Sequence, residues 1–411
     1  MAKDSTKNKN KVPKGIPVAF PAAMGLMAAY LKLVRHLHLD RSGIKGLKPP
    51  YVVISNHQSM VDFGAVFAAC RPNDVTFVVS SHYFHNPLFS KLLKAGGCIS
   101  KRQFYPDTAA IRQIIRVIKS GGVIGIFPEG QTCWSGRSNE IDRSIGKLVK
   151  SLGVPVVNVK IRGNYLAAPK WADGRSFPGY TCAKAELLLS AEQVASMDAE
   201  ALADRIIEDV EYNEYDWQRQ MMIPNRKRTP KGLERYLWRC PNCGEEFTIS
   251  CEDDKLVCSS CGLTLSMDQY GFLHSSVPGL PDTPPELLDM QSEALKRQLE
   301  EGTILPLKFK ARWFESAPGE IETNGYREYG YGEVTVDKDG LHYSGTRAGE
   351  EHTFSTSPRA QWNLTHNYNI PMIDLAGNTP EPRDYGLSPD NPQMLLKVIQ
   401  LWPLIRKKYY E

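Results

Sequence analysis

Between residues 50 and 165, short apolar runs alternate with longer stretches whose apolar positions recur at helical spacing. YVVIS (51–55), VTFVVS (75–80), VIGIF (123–127) and VPVVNVKI (154–161) read as buried strands. VDFGAVFAAC, FSKLLKAGG and TAAIRQIIRVIKSGG read as helices, the last two closed by glycine. Strand–helix alternation predicts an α/β layer built on a largely parallel sheet, with functional groups just beyond the carboxyl ends of the strands. A weaker strand, AKAELLL, and an acidic helical stretch over 191–220 complete this part by about residue 222. The basic PNRKRTPKG (224–232) and the Pro-rich SVPGLPDTPPE (276–286) read as linkers.

The N-terminal pattern differs. IPVAFPAAMGLMAAYLKLV (16–34) carries no charge between Lys14 and Lys32 and falls slightly short of the roughly 20 residues a spanning helix needs. Pro21 suits a first-turn position, with AAMGLMAAYLKLVRHL as the helix proper. Residues 1–50 hold ten Lys/Arg against two Asp, a net +8, although the whole chain is only +4. Basic excess beside an apolar helix suits an anionic membrane surface. A membrane-surface or re-entrant helix is the expectation, against a buried core helix or a signal peptide. No other stretch approaches spanning length, which excludes a polytopic membrane protein. A 42% hydrophobic and 23% charged composition excludes a disordered or fibrous one.

Four short blocks could do chemistry. Asn56-His57-Gln58-Ser59-Met60-Val61-Asp62 follows the strand YVVIS directly. On one regular helix His57 and Asp62 would stand about 140° apart. They meet only if His57 lies in the loop and Asp62 in the helix that follows, where the carboxylate fixes the imidazole tautomer and leaves Nε2 as base. Such a pair alone is more often a surface hydrogen bond. Gly96 to Arg102 ends in Lys101 and Arg102, a paired cationic site for phosphate or carboxylate, though adjacent cations are usually just solvated. Phe127-Pro128-Glu129-Gly130 follows VIGIF and offers a carboxylate beside a turn. VPVV (154–157) alone is only a strand.

Together, in this order, the blocks resemble the glycerolipid acyltransferase family that includes lysophosphatidic acid acyltransferase. The resemblance covers roughly residues 16–220. It implies an acyltransferase-type αβα layer over 49–222 and transfer of a fatty acyl group from acyl-ACP or acyl-CoA to the free hydroxyl of a lysolipid. With lysophosphatidic acid as acceptor, the activity is 1-acyl-sn-glycerol-3-phosphate O-acyltransferase and the product phosphatidic acid. His57 would be general base and Asp62 its orienting partner; Arg102, with Lys101, would hold the acceptor phosphate; Glu129 and Gly130 would position the glycerol end. Family members act at the membrane through N-terminal apolar helices, which fits the basic tail and helix of 1–48. One departure stands out: where the family often carries Arg, three places after the Glu, this chain has Thr132. Phosphate binding would then rest on Arg102 or Arg137, or the acceptor is another lysolipid. A non-catalytic membrane adaptor is the reading from another class.

Cys240-Pro-Asn-Cys243 and Cys258-Ser-Ser-Cys261, separated by 14 residues, have the spacing of a four-thiolate metal site. The unit, 236–275, resembles a zinc ribbon, with iron as the competing metal. Four Cys ligands leave no open position, so the Zn²⁺ is structural. Acidic neighbours (Glu245, Glu246, Glu252, Asp253, Asp254) argue against nucleic acid. Nine cysteines, four of them on a metal, favour a reducing compartment and hence the cytoplasmic face of a membrane, peripheral or monotopic. Residues 285–411 open on a helix near 285–301 and turn strand-like, with DKDG as a hairpin signal. A small barrel or a pleckstrin-like sheet closed by the last helix fits this β-rich C-terminal domain. Its aromatics, Trp313, Tyr326, Tyr329, Tyr331 and Trp362, are more often core than ligand face.

Overall fold

The computed structural model describes residues 19–172, 177, 179–316, 326–367, 372–376 and 384–411. The basic run through Lys14 and the start of the apolar stretch, 16–18, lie outside them. The first half comprises α1 (Ala19–Val34), β1 (His38–Gly43), β2 (Tyr51–Ser55), α2 (Asp62–Cys70), β3 (Val75–Ser80), α3 (Pro87–Ala95), β4 (Ile99–Lys101), α4 (Thr108–Lys119) and β5 (Val123–Ile126). It continues with α5 (Ser144–Leu152), β6 (Val156–Arg162), the single turn α6 (Asn164–Ala167), β7 (Cys182–Leu189), α7 (Ala191–Ser196), α8 (Ala199–Val210) and α9 (Glu214–Met221). The acidic stretch read as continuous helix is three. Ser190, Asp198 and Asn213 each turn a side-chain oxygen onto a backbone N–H of the next first turn, and each such cap starts a new helix.

Among the described residues seven strands form one sheet in the order β1-β7-β6-β2-β5-β3-β4. Strands β2 to β6 run parallel; β7 runs antiparallel to β6, and β1 parallel to β7. Every residue of the central β2 is buried, as expected for a strand covered on both faces. Its alternation divides the core. Tyr51 and Val53 pack with Phe20, Leu31 and Phe67 of α1 and α2, whereas Val52 and Ile54 pack with Ile114, Val149 and Ile206 of α4, α5 and α8. This is the predicted αβα layer.

Helix α1 already includes Ala19, Phe20 and Pro21, which the sequence reading places before the helix proper. It ends at Val34, and His36 takes φ +46°. Phe20, Met24 and Leu31 are buried. The packing is close: a Cβ on Gly96 would stand 2.4 Å from the Phe20 ring, and one on Gly64 2.7 Å from Met27 Cγ. The opposite face is apolar and open, with Leu26 73% and Leu33 77% exposed. No helix among the described residues is long and apolar enough to cross a membrane.

The second half starts with a four-stranded antiparallel sheet, β8 (Ile249–Glu252), β9 (Lys255–Cys258), β10 (Thr264–Met267) and β11 (Leu273–Ser275). Helix α10 (Pro284–Glu300) leads to β12 (Leu307–Ser316), β13 (Tyr326–Val336), β14 (Leu341–Arg347), β15 (Glu350–Thr356), β16 (Thr365–Asn367), β17 (Met372–Ala376) and β18 (Asp384–Pro389). These seven strands form an antiparallel sheet in the order β15-β14-β13-β12-β18-β17-β16, packed by the final helix α11 (Pro392–Tyr409). The DKDG turn joins β13 to β14, with Asp337 accepting from the N–H groups of Asp339 and Gly340. The ribbon and this sheet share one core: Leu237, Trp238, Leu256 and Leu265 pack in the same cluster as Leu295, Trp313, Val334 and Trp402. Buried Lys397 of α11 pairs with Glu246 at 2.5 Å and lies over the Trp238 ring. Trp313 and Tyr326 are core, and Tyr331 is exposed.

Candidate active site

Strand β2 delivers His57 at its carboxyl end, and Asp62 opens α2 five residues on, the loop-plus-helix arrangement that the spacing requires. His57 Nδ1 lies 3.0 Å from Asp62 Oδ2. The carboxylate is fully buried, and its position is over-determined. Oδ2 also accepts from the backbone N–H of Gln58 (2.5 Å) and Ser59 (2.8 Å), and Oδ1 from Asn164 Nδ2 (2.7 Å). An acceptor-only group on Nδ1 fixes the proton there, so Nε2 presents its lone pair. Nε2 has no protein partner among the described residues. The ring stacks on Phe127 at 4.1 Å and meets Phe63 edge-on at 5.5 Å.

A second layer of buried polar side chains fixes this loop. Gln58 Nε2 donates to Glu214 Oε2 (2.6 Å), while its Oε1 accepts from the N–H of Asn164 (2.9 Å). Glu214 Oε1 accepts from Gly163 N–H (2.7 Å), and burial pushes this carboxyl up to about 7. Asn164 Oδ1 takes the Thr181 hydroxyl (2.8 Å), which fixes its amide donor on Asp62. Asn164 was legible in principle, because it follows β6 directly and the strand-end rule points to it. Glu214 carries no local signal; it arrives from an acidic helix 156 residues away from Gln58.

Glu129 departs from its expected role. It is fully buried, accepting from His57 N–H on Oε1 (2.8 Å) and Asn139 N–H on Oε2 (2.8 Å). It does not line the cavity, and burial pushes its carboxyl up to about 8. Its place is beneath the His57 loop rather than on the cavity wall. Gly130, with φ +71°, does line the cavity. The two adjacent cations part company. Lys101 lines the cavity, donating to the carbonyls of Arg102 (3.0 Å) and Tyr105 (3.4 Å), and burial lowers its pKa. Arg102 does not line it; its guanidinium lies over the Tyr105 ring. Arg137 is paired with Asp289 of α10. Thr132 lines the cavity where the resemblance would place an Arg.

The cavity in front of His57 measures about 1180 Å³. Val78, Ile111, Ile114, Ile126, Ile145 and Leu148 make one apolar stretch of its wall. Arg35, Lys101, Lys147, Lys170 and Arg359 bring cationic side chains to it, and Asp107, Asp142 and Asp374 bring carboxyl groups. Cys133 is buried below, its N–H on the His57 carbonyl (2.7 Å), and burial pushes its thiol well above the ordinary range. It does not line the cavity.

The sulfurs of Cys240, Cys243, Cys258 and Cys261 all lie within 4.8 Å of one another, with Cys240–Cys261 at 3.8 Å and Cys243–Cys258 at 3.9 Å. Four thiolates set tetrahedrally about 2.3 Å from one ion lie about 3.8 Å apart. Gly244 and Gly262, at φ +79° and +73°, turn the chain back after each pair.

Residues 31–162 match the family model described as Acyltransferase. That span holds His57, Asp62, Lys101, Arg102, Glu129 and Gly130, and it makes the protein an O-acyltransferase by class. Among solved structures, one described as the 1-acyl-sn-glycerophosphate (LPA) acyltransferase PlsC from Thermotoga maritima is similar at 19% identity and a TM-score of 0.40, covering 49% of this chain and 79% of that one. No curated protein sequence matches the chain.

Proposed function

We propose that the protein transfers a fatty acyl group from an acyl thioester, on acyl carrier protein or CoA, to the free hydroxyl of a lysoglycerolipid. The observation that carries this reading is the His57–Asp62 pair, with Nε2 unengaged on a ring that lines the cavity. The acceptor hydroxyl gives its proton to Nε2 as its oxygen bonds to the thioester carbonyl carbon. The tetrahedral adduct then collapses, the C–S bond breaks, and the departing thiolate takes the proton back from the imidazolium. Asp62 holds the ring and balances its charge between the two transfers. The apolar wall suits an acyl chain. The resemblance points to lysophosphatidic acid, with phosphatidic acid as product. Thr132 in the cavity wall favours a second reading, a lysolipid whose phosphate bears a further group. A purely adaptor role would leave so elaborately supported a His–Asp pair without a task.

The site works at a membrane surface in this reading. The open face of α1, with Leu26 and Leu33, and the start of α3, with Leu88 69% and Phe89 54% exposed, offer apolar contact, and the basic N-terminal run offers charge. The cytoplasmic face is the proposed side. The four cysteines hold a structural Zn²⁺, which supplies folding energy to the ribbon.

The test is product mass spectrometry on the full chain in vesicles, with an acyl thioester, a lysolipid panel and a His57→Ala control. A diacyl product made only by the intact chain supports the reading. A folded, metal-loaded chain that acylates nothing in the panel sinks it in favour of the adaptor.

A further inference from the structure

The cavity holding His57 is not built by the acyltransferase domain alone. Arg359, Trp362, Thr365, His366 and Asp374 of the C-terminal domain line it as well. Hydrogen bonds hold that wall in register with the catalytic half. Trp362 N–H donates to the Phe104 carbonyl (3.0 Å), and Tyr105 O–H to Gln361 Oε1 (3.0 Å). Gln361 Nε2 in turn donates to the Asp374 carbonyl (3.0 Å). The loop that follows Lys101 is thereby tied to the strand that carries Asp374. A further pair, His85 Nε2 with Asp384 Oδ2 at 2.7 Å, joins the two halves beside it.

The chemistry of this wall is mixed. The Asp374 carboxyl accepts the Thr365 hydroxyl (3.0 Å) and lies in the field of the Lys170 ammonium, which also lines the cavity. The His366 imidazole, 3.4 Å from the Tyr236 hydroxyl, is held neutral by burial and by Lys170. A bare phosphate dianion brings this carboxyl no donor and, wherever the carboxyl is ionised, is repelled by it. A hydroxyl or ammonium group would find in the same carboxyl an acceptor.

We propose that the C-terminal domain builds the acceptor's head-group pocket, with Asp374 and Thr365 selecting a lysolipid whose phosphate carries a hydroxyl- or ammonium-bearing group over one that ends in a bare phosphate. The proposal rests on the lysolipid reading of the site. Its test separates binding from turnover. Without acyl donor, lysophosphatidylglycerol, lysophosphatidylethanolamine and lysophosphatidic acid of one chain length are titrated into the full chain, with tryptophan fluorescence reporting on Trp362 in the wall. The first two bind at least tenfold tighter than the third. Asp374→Asn weakens them at least tenfold and leaves lysophosphatidic acid unchanged or tighter; Thr365→Val weakens them less. Equal or tighter binding of lysophosphatidic acid by the intact chain overturns the proposal, as does equal weakening of all three by Asp374→Asn, or no binding at all. If Asp374→Asn does not fold, the intact chain's ranking and Thr365→Val decide. Acyl transfer is followed in parallel. Head-group selectivity without any turnover keeps the pocket and sinks the reaction, whereas turnover of lysophosphatidic acid alone keeps the reaction and sinks the pocket.

Discussion

Replacing Asp62 by Asn tests the base and its support at once. Asp62 Oδ2 faces three donors and Oδ1 faces the Asn164 amide and, at 3.3 Å, the Ser59 hydroxyl, so either orientation of the new side chain sets its own NH2 against an N–H donor. The cheaper orientation gives up the Asn164 bond and keeps a carbonyl oxygen on His57 Nδ1–H. Geometry then largely survives and charge is lost. A unit-charge pair at the observed 3.0 Å is worth about 5 kcal/mol at an effective dielectric near 20. Since about 1.4 kcal/mol is a factor of ten in rate, removing the imidazolium's counter-charge lowers kcat by roughly 10³–10⁴. Converting the charge-assisted bonds from Gln58 and Ser59 into neutral ones costs on the order of 1 kcal/mol each in stability. Asp62 does not line the cavity, so KM for the thioester stays within about twofold of the parent, on the principle that uniform binding is untouched. The assay is a product time course by mass spectrometry, with circular dichroism to establish that the variant is folded. The double variant with His57→Ala is no slower than His57→Ala alone, because the two residues act as a unit. A folded Asp62→Asn chain that retains more than a tenth of parental kcat refutes the assignment of Asp62 as the orienting partner.

The four-cysteine site predicts one equivalent of metal per chain by elemental mass spectrometry, zinc rather than iron. Because the ribbon and the C-terminal sheet share a core, a strong chelator or Cys258→Ser lowers the melting temperature of the whole second half, read from the Trp238 and Trp402 environment. Leu26→Glu with Leu33→Glu weakens flotation with anionic vesicles at least tenfold, since each leucine entering lipid contributes about 1.5–3 kcal/mol, and leaves the melting temperature unchanged because both side chains are exposed. Asp374 supplies a pH signature. Burial pushes its folded-state carboxyl from 3.8 up to about 7, so the protonated form favours the native state. Its stabilising contribution is complete below pH 4 and is lost as pH rises through about 7. The melting-temperature difference between Asp374→Asn and the parent therefore moves in favour of the variant from pH 4 to 7 and flattens above; a constant difference contradicts the assigned direction.

The acyltransferase half was legible because each of its signals is local. A five-residue apolar run makes a buried strand, a glycine ends a helix, and a His beyond a strand meets an Asp in the next helix; the periodicity of β2 even sorts its side chains between the two faces. Glu129 shows where local reading fails. The residue type at a strand end was recognised, but its role depends on Asn139, ten residues on, and on the backbone of His57, 72 residues back. The same cause hid Glu214 under Gln58 and separated Lys101, which lines the cavity, from Arg102, which does not. The loop at 102–107 is gripped from the far end of the chain, by Gln361 and Trp362. A contact between residues 256 positions apart has no periodicity, spacing or composition to announce it. It is nevertheless what makes the C-terminal domain part of the cavity. The His57–Asp62 pair can thus be read from one stretch of sequence, whereas the far wall of its cavity depends on how two distant stretches pack, and that packing has to be seen in three dimensions.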